Sequence, residues 1–549
     1  MLLSVALALA RGRESDPLVW SKGPNAWDRC AYAAMHTEAV SDPASVVRYM
    51  AQCGRVLWVR TGSHGARKTD LDVVAENLGV LRAPVVLVTS DGDRAVPSSY
   101  SARTVRLLLD SPLVVRWLTQ NYDGSVRSPK LRHIPIGLDM HTPHSHMGHA
   151  KLARIAHANG GDKRASVVCD AHLNLSHPER ASMYATLRAN AGITFLERRA
   201  TFSELMRAYG EHLFVLSPRG NGLDCHRTWE ALLAGCIVIT VRSPLDAMLA
   251  GFAVVILAEW GELNVDLPRK LAAWRARYAA RTPLRFVAPR VRFGYWLADA
   301  LVVGGTARDC APHLPRVFAR LDALARGRRV LYVFYESNSS DATLGMLRAF
   351  VAERDGVVLT ERTSGIRTER LARGRNAVIE RVERAESYDF FVNLDLDDAT
   401  ESFDPASVER CLARADEWDV ATANRSKRYY DLWALRTARM GDMYDGTVHC
   451  IKGHESAPRR GACRPALLSD WFPELRGAHT FPLDGPYYAV ESAFGGLAVY
   501  KTSLLRGARY EGTKRGGVPE CEHVPFHAAI RAQFPHARIV VAPYLISGP

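Results

Sequence analysis

At 549 residues, 47% of them apolar and 23% charged, the chain is too long for one hydrophobic core and too apolar to be disordered, so about two to four domains are expected. A net charge of +13 suits phosphorylated small molecules, anionic membranes or nucleic acid alike. No Lys/Arg run with interleaved aromatics and no helix-turn-helix, zinc-finger or RNA-binding signature accompanies it, which argues against nucleic acid, and the ten cysteines form no C-x-x-C pair of the kind that structural zinc or thioredoxin motifs use.

The opening stretch MLLSVALALARGR holds an apolar run too short to span a bilayer. It reads as a first helix rather than a signal peptide, since it lacks a basic leader. No later stretch reaches transmembrane length, and the expected location is cytoplasmic, with a lumenal or secretory one as the alternative. Short apolar runs then alternate with helical patterns: RVLWVR (55–60), PVVLVTS (84–90), SVVCD (166–170), HLFVLSP (212–218), CIVITV (236–241) and AVVILA (253–258). That rhythm is expected of parallel sheets covered by helices on both faces. The polar segment HTPHSHMGHAKLARIAHANGGDKR (141–164) reads as a solvated joint, because its histidines are too irregularly spaced for a metal site.

The stretch FVLSPRGNGLDCHRTWEALLAGCIVIT (214–240) reads as strand, glycine turn, helix and strand. Gly220 and Gly222 permit a tight backbone, Asp224 is placed to cap the helix, and Gly235 to end it. A helix N-terminus after a glycine turn is an anion site. Arg227 in its first turn would add a cation toward a diphosphate, with Glu230 one turn on along the same face; the plainer alternative is a tight turn followed by an Arg227–Glu230 pair. The stretch as a whole resembles the nucleotide-sugar region of exostosin-like glycosyltransferases, and LVTSDGD (87–93), WLTQNYDGSVRSPKLRHIPIGLD (117–139) and the Arg180 region resemble that family's acceptor-side half. The resemblance covers about residues 50–260. It implies a two-lobed GT-B fold, twin Rossmann-like lobes at 1–150 and 151–318, with a sugar nucleotide gripped by Arg219, Gly220, Gly222, Arg227 and Glu230 and no metal.

A basic helix, PRVFARLDALARGRR (315–329), leads into a fresh strand, VLYVFYE (330–336), and the main domain boundary is expected there, with the second domain at 326–549. The loop after a first parallel strand is where such sheets bind nucleotides, so Glu336 and Asp341 would meet a base or ribose. Arg373, Arg375 and Asn376, in the basic helix RLARGRNAVIERV (370–382), would meet phosphate. The strand YDFFVNLDLDD (388–398) ends in three acids. Strand alternation would put Asp395 and Asp397 on one face, where a hard divalent ion, Mn²⁺ or Mg²⁺, would compensate them; a solvated acidic turn is the alternative.

Nucleotide loop, basic helix and D-x-D strand in this order look like a GT-A (nucleotide-diphospho-sugar transferase) domain. RYYDLWALR (428–436), ESAFGGLAVYK (491–501) and CEHVPFHAAIRAQFPHARIVVAP (521–543) follow in the order found in fungal capsule-type mannosyltransferases. Where many GT-A enzymes carry a Glu-Asp pair, this chain has Glu522 and His523, so His523 would act as base or as a further metal ligand beside Asp395 and Asp397, and His527 as a structural residue. The fold class expected is therefore α/β, a GT-B module followed by a GT-A module. The expected function is bifunctional glycosyl transfer from UDP- or GDP-sugars to a glycan or polysaccharide. One active module beside a degenerate glycan-binding one, a metal-dependent nucleotidyltransferase, and a basic nucleic-acid-binding protein are the alternatives.

Overall fold

The apolar runs of the first half fold as parallel strands, buried on both faces as such strands must be. The computed structural model describes residues 42–549 except 62–68, 140–147, 172–176, 197, 386–387, 430, 439–448, 451–463, 466–467 and 515–516. It divides into two units, Met1–Ala298 and Asp299–Pro549. The opening apolar stretch and the histidines at 141, 144 and 146 lie outside the described residues. Among the described residues no helix is long and apolar enough to cross a membrane.

Unit 1 holds two parallel sheets. Strands β1 (Val56–Arg60), β2 (Val85–Ser90), β3 (Val114–Thr119) and β4 (Leu131–His133) lie in sequential order. Strands β5 (Arg164–Cys169), β6 (Ile193–Phe195), β7 (His212–Leu216), β8 (Ile237–Val241) and β9 (Val254–Leu257) pair in the order β6-β5-β7-β8-β9. Capping boxes at Thr69/Asp72 and Thr201/Glu204 start two of the covering helices by satisfying their first free amides. The segment read as a solvated joint differs from expectation: Gly148–Asn159 is a helix, with Leu152, Ile155 and Ala156 in the core.

Unit 2 is built on one mixed sheet. Its strands are β10 (Leu301–Ala307), β11 (Val330–Glu336), β12 (Gly356–Thr360), β13 (Phe390–Leu394), β14 (Val420–Arg425), β17 (Tyr488–Ala489), β18 (Leu497–Lys501) and β19 (Ile539–Gly548), in the order β12-β11-β10-β13-β18-β14-β19-β17; β15 (His449–Cys450) and β16 (Arg464–Pro465) form a separate short ladder. β18 runs antiparallel to both of its neighbours. Alternation along the strands feeds two cores. Val302, Val333, Tyr335 and Phe391 face the helix Arg367–Glu383 through Val378 and Ile379. Leu301, Val303, Tyr332, Phe334, Phe390 and Val392 face the other way, toward Leu321, Leu347, Phe350 and Val408. The result is three layers, helix on sheet on helix.

The boundary therefore falls at 298/299, not at 318–326, and β10 rather than β11 is the first strand of its sheet. Gly304 and Gly305 interrupt the apolar run that would have marked β10. They are needed because a Cβ at Gly305 would lie 2.0 Å from the Leu394 carbonyl oxygen, and one at Gly304 would lie 2.8 Å from Val378.

Candidate functional site

In unit 2 the strand order reverses between β10 and β13, and the crevice beyond the carboxyl ends at such a switch point is where open α/β sheets take ligands. The acids of 395–398 lie there. β13 ends at Leu394, so they occupy the following turn rather than a strand face, and strand alternation does not govern their directions. Leu396 between them is buried. The Asp395 amide donates to the Gly496 carbonyl at 2.9 Å, and Asp397 accepts the Ala399 amide at 3.0 Å.

The charge on Asp395 is met from within the fold. Arg375, only 4% exposed, donates from Nη2 to Asp395 (2.8 Å), from Nε to Glu522 (2.9 Å) and from Nη1 to the Asn393 side-chain oxygen (3.2 Å). Its guanidinium carbon sits 4.8 Å from the centre of the Phe494 ring. Burial opposes that charge, but Asp395 and then Glu522 more than offset it, so the guanidinium stays protonated. All three nitrogens are engaged, which corrects the expectation that Arg375 meets phosphate. Arg373, two residues away and so on the opposite side of the helix, is exposed and pairs with Glu361 at 3.3 Å. Asp397 has no such cation bonded to it among the described residues. It is exposed at the turn yet crowded by protein, and desolvation, then the Asp395 charge, push its pKa up to about 6.

Three further expected ligand contacts go to backbone instead. Asn376 exchanges two hydrogen bonds with the Tyr510 main chain (2.9 and 2.8 Å). Glu336 is buried and accepts the Ser339 amide at 2.8 Å. Asp341 accepts the Ala311 and Thr343 amides at 3.0 and 2.9 Å. Each ties a loop down.

Glu522 and His523 begin the helix His523–Gln533 and are 3% and 2% exposed. The His523 ring stacks on Phe494 at 3.8 Å and meets Tyr510 edge-on at 5.5 Å. Neither of its nitrogens has a hydrogen-bond partner among the described residues, and burial, then the Arg375 charge, hold its pKa well below the usual range. No group of three His, Cys, Asp or Glu able to hold a metal is assembled among the described residues. His527 is a satisfied core residue, bonded to Ser492 and Tyr500, each at 3.0 Å. The sequence reading missed Asp431. It is half-buried, accepts the Gly495 amide at 3.0 Å, and has its pKa pushed up to about 6 by desolvation and then by Asp395 and Glu522.

Unit 1 has its own switch point, between β5 and β7. Beyond those strands Arg227 pairs with Asp170 at 2.5 Å, both side chains 12% exposed. The Asp170 charge outweighs the burial that opposes the guanidinium. Arg180 donates to the Arg219 carbonyl at 2.8 Å. Arg219 donates to the Asn221 carbonyl at 3.1 Å and leaves its buried Nε without a hydrogen-bond partner among the described residues. Gly220 sits beside Arg180, and a Cβ at Gly222 would lie 2.8 Å from the Asn121 amide.

Neither the Arg227–Glu230 pair of the plainer alternative nor the expected Asp224 cap forms. Glu230 is buried against Lys151 at 2.5 Å, on the helix that sequence reading took for a linker. Asp224 accepts the Ile136 amide and the Trp229 indole while Cys225 stands at the N-cap without a side-chain bond. Gly235, at φ +81°, does end the helix.

No protein-family model matches the chain, and no curated protein matches it. Among solved structures it is similar to residues 1–349 of TarS from S. aureus, with a TM-score of 0.25 and 12% identity over 44% of this chain; the match spans 57% of that chain, less than two thirds of its length. The same TarS fragment in complex with UDP gives a TM-score of 0.27 and 13% identity over 44% of this chain and 57% of that one. Glucosyl-3-phosphoglycerate synthase from Mycobacterium tuberculosis, in complex with Mn²⁺, UDP and glucosyl-3-phosphoglycerate, gives 0.26 and 14% identity over 46% of this chain and 70% of that one. These overlaps are loose, so the geometry of the two sites has to define their chemistry.

Proposed function

We propose that unit 2 transfers a glycosyl group from a nucleoside-diphosphate sugar to a hydroxyl of a glycan or polysaccharide, as a GT-A module related to capsule-type mannosyltransferases. The observation that carries this reading is the pairing of two unlike acids at the β10/β13 switch point, Asp395 hydrogen-bonded by Arg375 and Asp397 exposed with no such partner among the described residues. Their hard carboxylate oxygens fit Mn²⁺ or Mg²⁺, with Asp397 and the Asp395 oxygen that Arg375 leaves unused as the holders. Charge on the departing diphosphate would be neutralised by the bound ion acting as a Lewis acid. Arg375 fixes Asp395 and Glu522 in place before any ligand arrives, and His523, neutral and stacked, completes the wall behind them.

Unit 1 is read as a GT-B module binding a second sugar nucleotide without metal, which makes the chain bifunctional. Its support is the gathering of Arg180, Arg219 and Arg227 at the β5/β7 switch point, where helix amides and guanidinium groups suit a diphosphate. Calorimetric titration with UDP- and GDP-sugars tests both halves. A metal-requiring phase lost in Asp397→Asn and an EDTA-resistant phase weakened about ten- to a hundredfold in Arg227→Ala are expected. A single phase insensitive to both substitutions contradicts the reading.

A further inference from the structure

The turn Phe494–Gly495–Gly496 fastens the acidic groups of unit 2 to one another. The Gly495 amide donates to Asp431 at 3.0 Å, the Gly496 carbonyl accepts the Asp395 amide at 2.9 Å, and the Phe494 ring carries His523 at 3.8 Å and Arg375 at 4.8 Å. Gly495 and Gly496 have φ of +69° and +84°, and a Cβ at Gly495 would lie 2.2 Å from the Ala423 carbonyl oxygen. Two glycines thus let a tight turn hold Asp431 beside the Arg375 cluster.

Accounting for partners separates the carboxylates. Glu522 is buried and bonded to Arg375, so it cannot touch an acceptor. Asp395 shares the same guanidinium, and both Asp341 oxygens are taken by amides. His523 is sealed between Phe494 and Tyr510. Asp397, exposed at its turn, is taken by the proposed metal role, which leaves Asp431: part-buried, bonded to the Gly495 amide and without a cationic partner among the described residues.

We propose that Asp431 is the catalytic base of unit 2, taking the proton of the acceptor hydroxyl. The assignment rests on the reading of unit 2 as a glycosyltransferase and replaces His523 in that role. As the acceptor oxygen bonds to the anomeric carbon, the bond from that carbon to the phosphate oxygen breaks and its electron pair leaves with the nucleoside diphosphate. The hydroxyl proton passes to an Asp431 carboxylate oxygen and from there to solvent. Attack opposite the leaving group inverts the anomeric centre.

The test uses the full chain with UDP-glucose and GDP-mannose, Mn²⁺ and water as the acceptor. Asp431→Asn, which keeps the shape that receives the Gly495 amide, should bind donor within about twofold of the parent yet release nucleoside diphosphate about a hundredfold or more slowly, the usual contribution of a general base. In Asp431→Gly, azide, an anionic nucleophile that needs no base, should restore release by about tenfold or more and yield a glycosyl azide of inverted configuration; Asp397→Asn should show no such rescue. Release at the parent rate in Asp431→Asn, or an azide-insensitive Asp431→Gly that still binds donor, overturns the assignment of Asp431 alone. A parent that neither binds nor hydrolyses these donors overturns the glycosyltransferase reading, and Asp431 with it.

Discussion

A single guanidinium decides how unit 2 tolerates its acids. Arg375 is almost wholly buried and holds two carboxylates, so removing it leaves uncompensated charge in the interior. Arg375→Ala is expected to destabilise unit 2 by about 3–5 kcal/mol, the range for breaking a buried ion pair from one side. Arg375→Lys should recover only part of this, since an ammonium cannot serve three directions from one plane; the thermal unfolding of the three proteins checks the order. Asp397 behaves differently because its folded pKa, about 6, lies above the ordinary carboxylate value. Its contribution to stability is therefore full below about pH 4 and is lost as pH rises through about 6. Ionising it costs the apo fold a little and readies it for a cation, so Asp397→Asn should flatten that part of the stability profile without unfolding the protein at pH 7. Mn²⁺ affinity should fall about tenfold from pH 7 to pH 5 as protons compete for the same oxygen. A pH-independent affinity would remove Asp397 from the ligand set.

At the scale of elements, β10 shows what sequence reading could and could not find. Apolar strands such as β7 and β11 were legible, because parallel strands buried on both faces are written as unbroken runs, and β11 was read with its observed bounds. β10 was not legible, because the close approach of Leu394 and Val378 demands the two glycines that break its pattern. Gly305→Ala is expected to cost about 1–3 kcal/mol or more, the range for overpacking a tight core. It should also disturb the turn after β13, read as weakened Mn²⁺ binding beyond any loss of fold. The order of the site was legible as well: the acid cluster, the basic helix and the Glu522–His523 pair were singled out from sequence. Their partners were not, since Arg375 meets Glu522 across 147 residues and Asp431 is a lone acid that only the Gly495 turn brings to the cluster. Asn376, Glu336 and Asp341 look the same in sequence whether they bind a ligand or a loop amide; the fold makes them loop ties.

For the whole molecule, the division at 298/299 carries a consequence for where the chain can be cut. A fragment of residues 299–549 retains β10 at the centre of its sheet and should unfold in one cooperative transition. A fragment of residues 326–549 exposes the edges of β11 and β13 that β10 pairs and should be insoluble or lack that transition. Equal behaviour of the two fragments on heating would contradict the strand order described above.

The central claim is that the acids at the β10/β13 switch point serve glycosyl transfer, and the most direct measurement is nucleoside diphosphate release by the full chain from a panel of UDP- and GDP-sugars with Mn²⁺. Release from at least one donor, abolished by EDTA at unit 2 and by Asp397→Asn while the fold persists, is the expected result. Release that survives Asp397→Asn undiminished under Mn²⁺, or its absence with every donor, would contradict the claim.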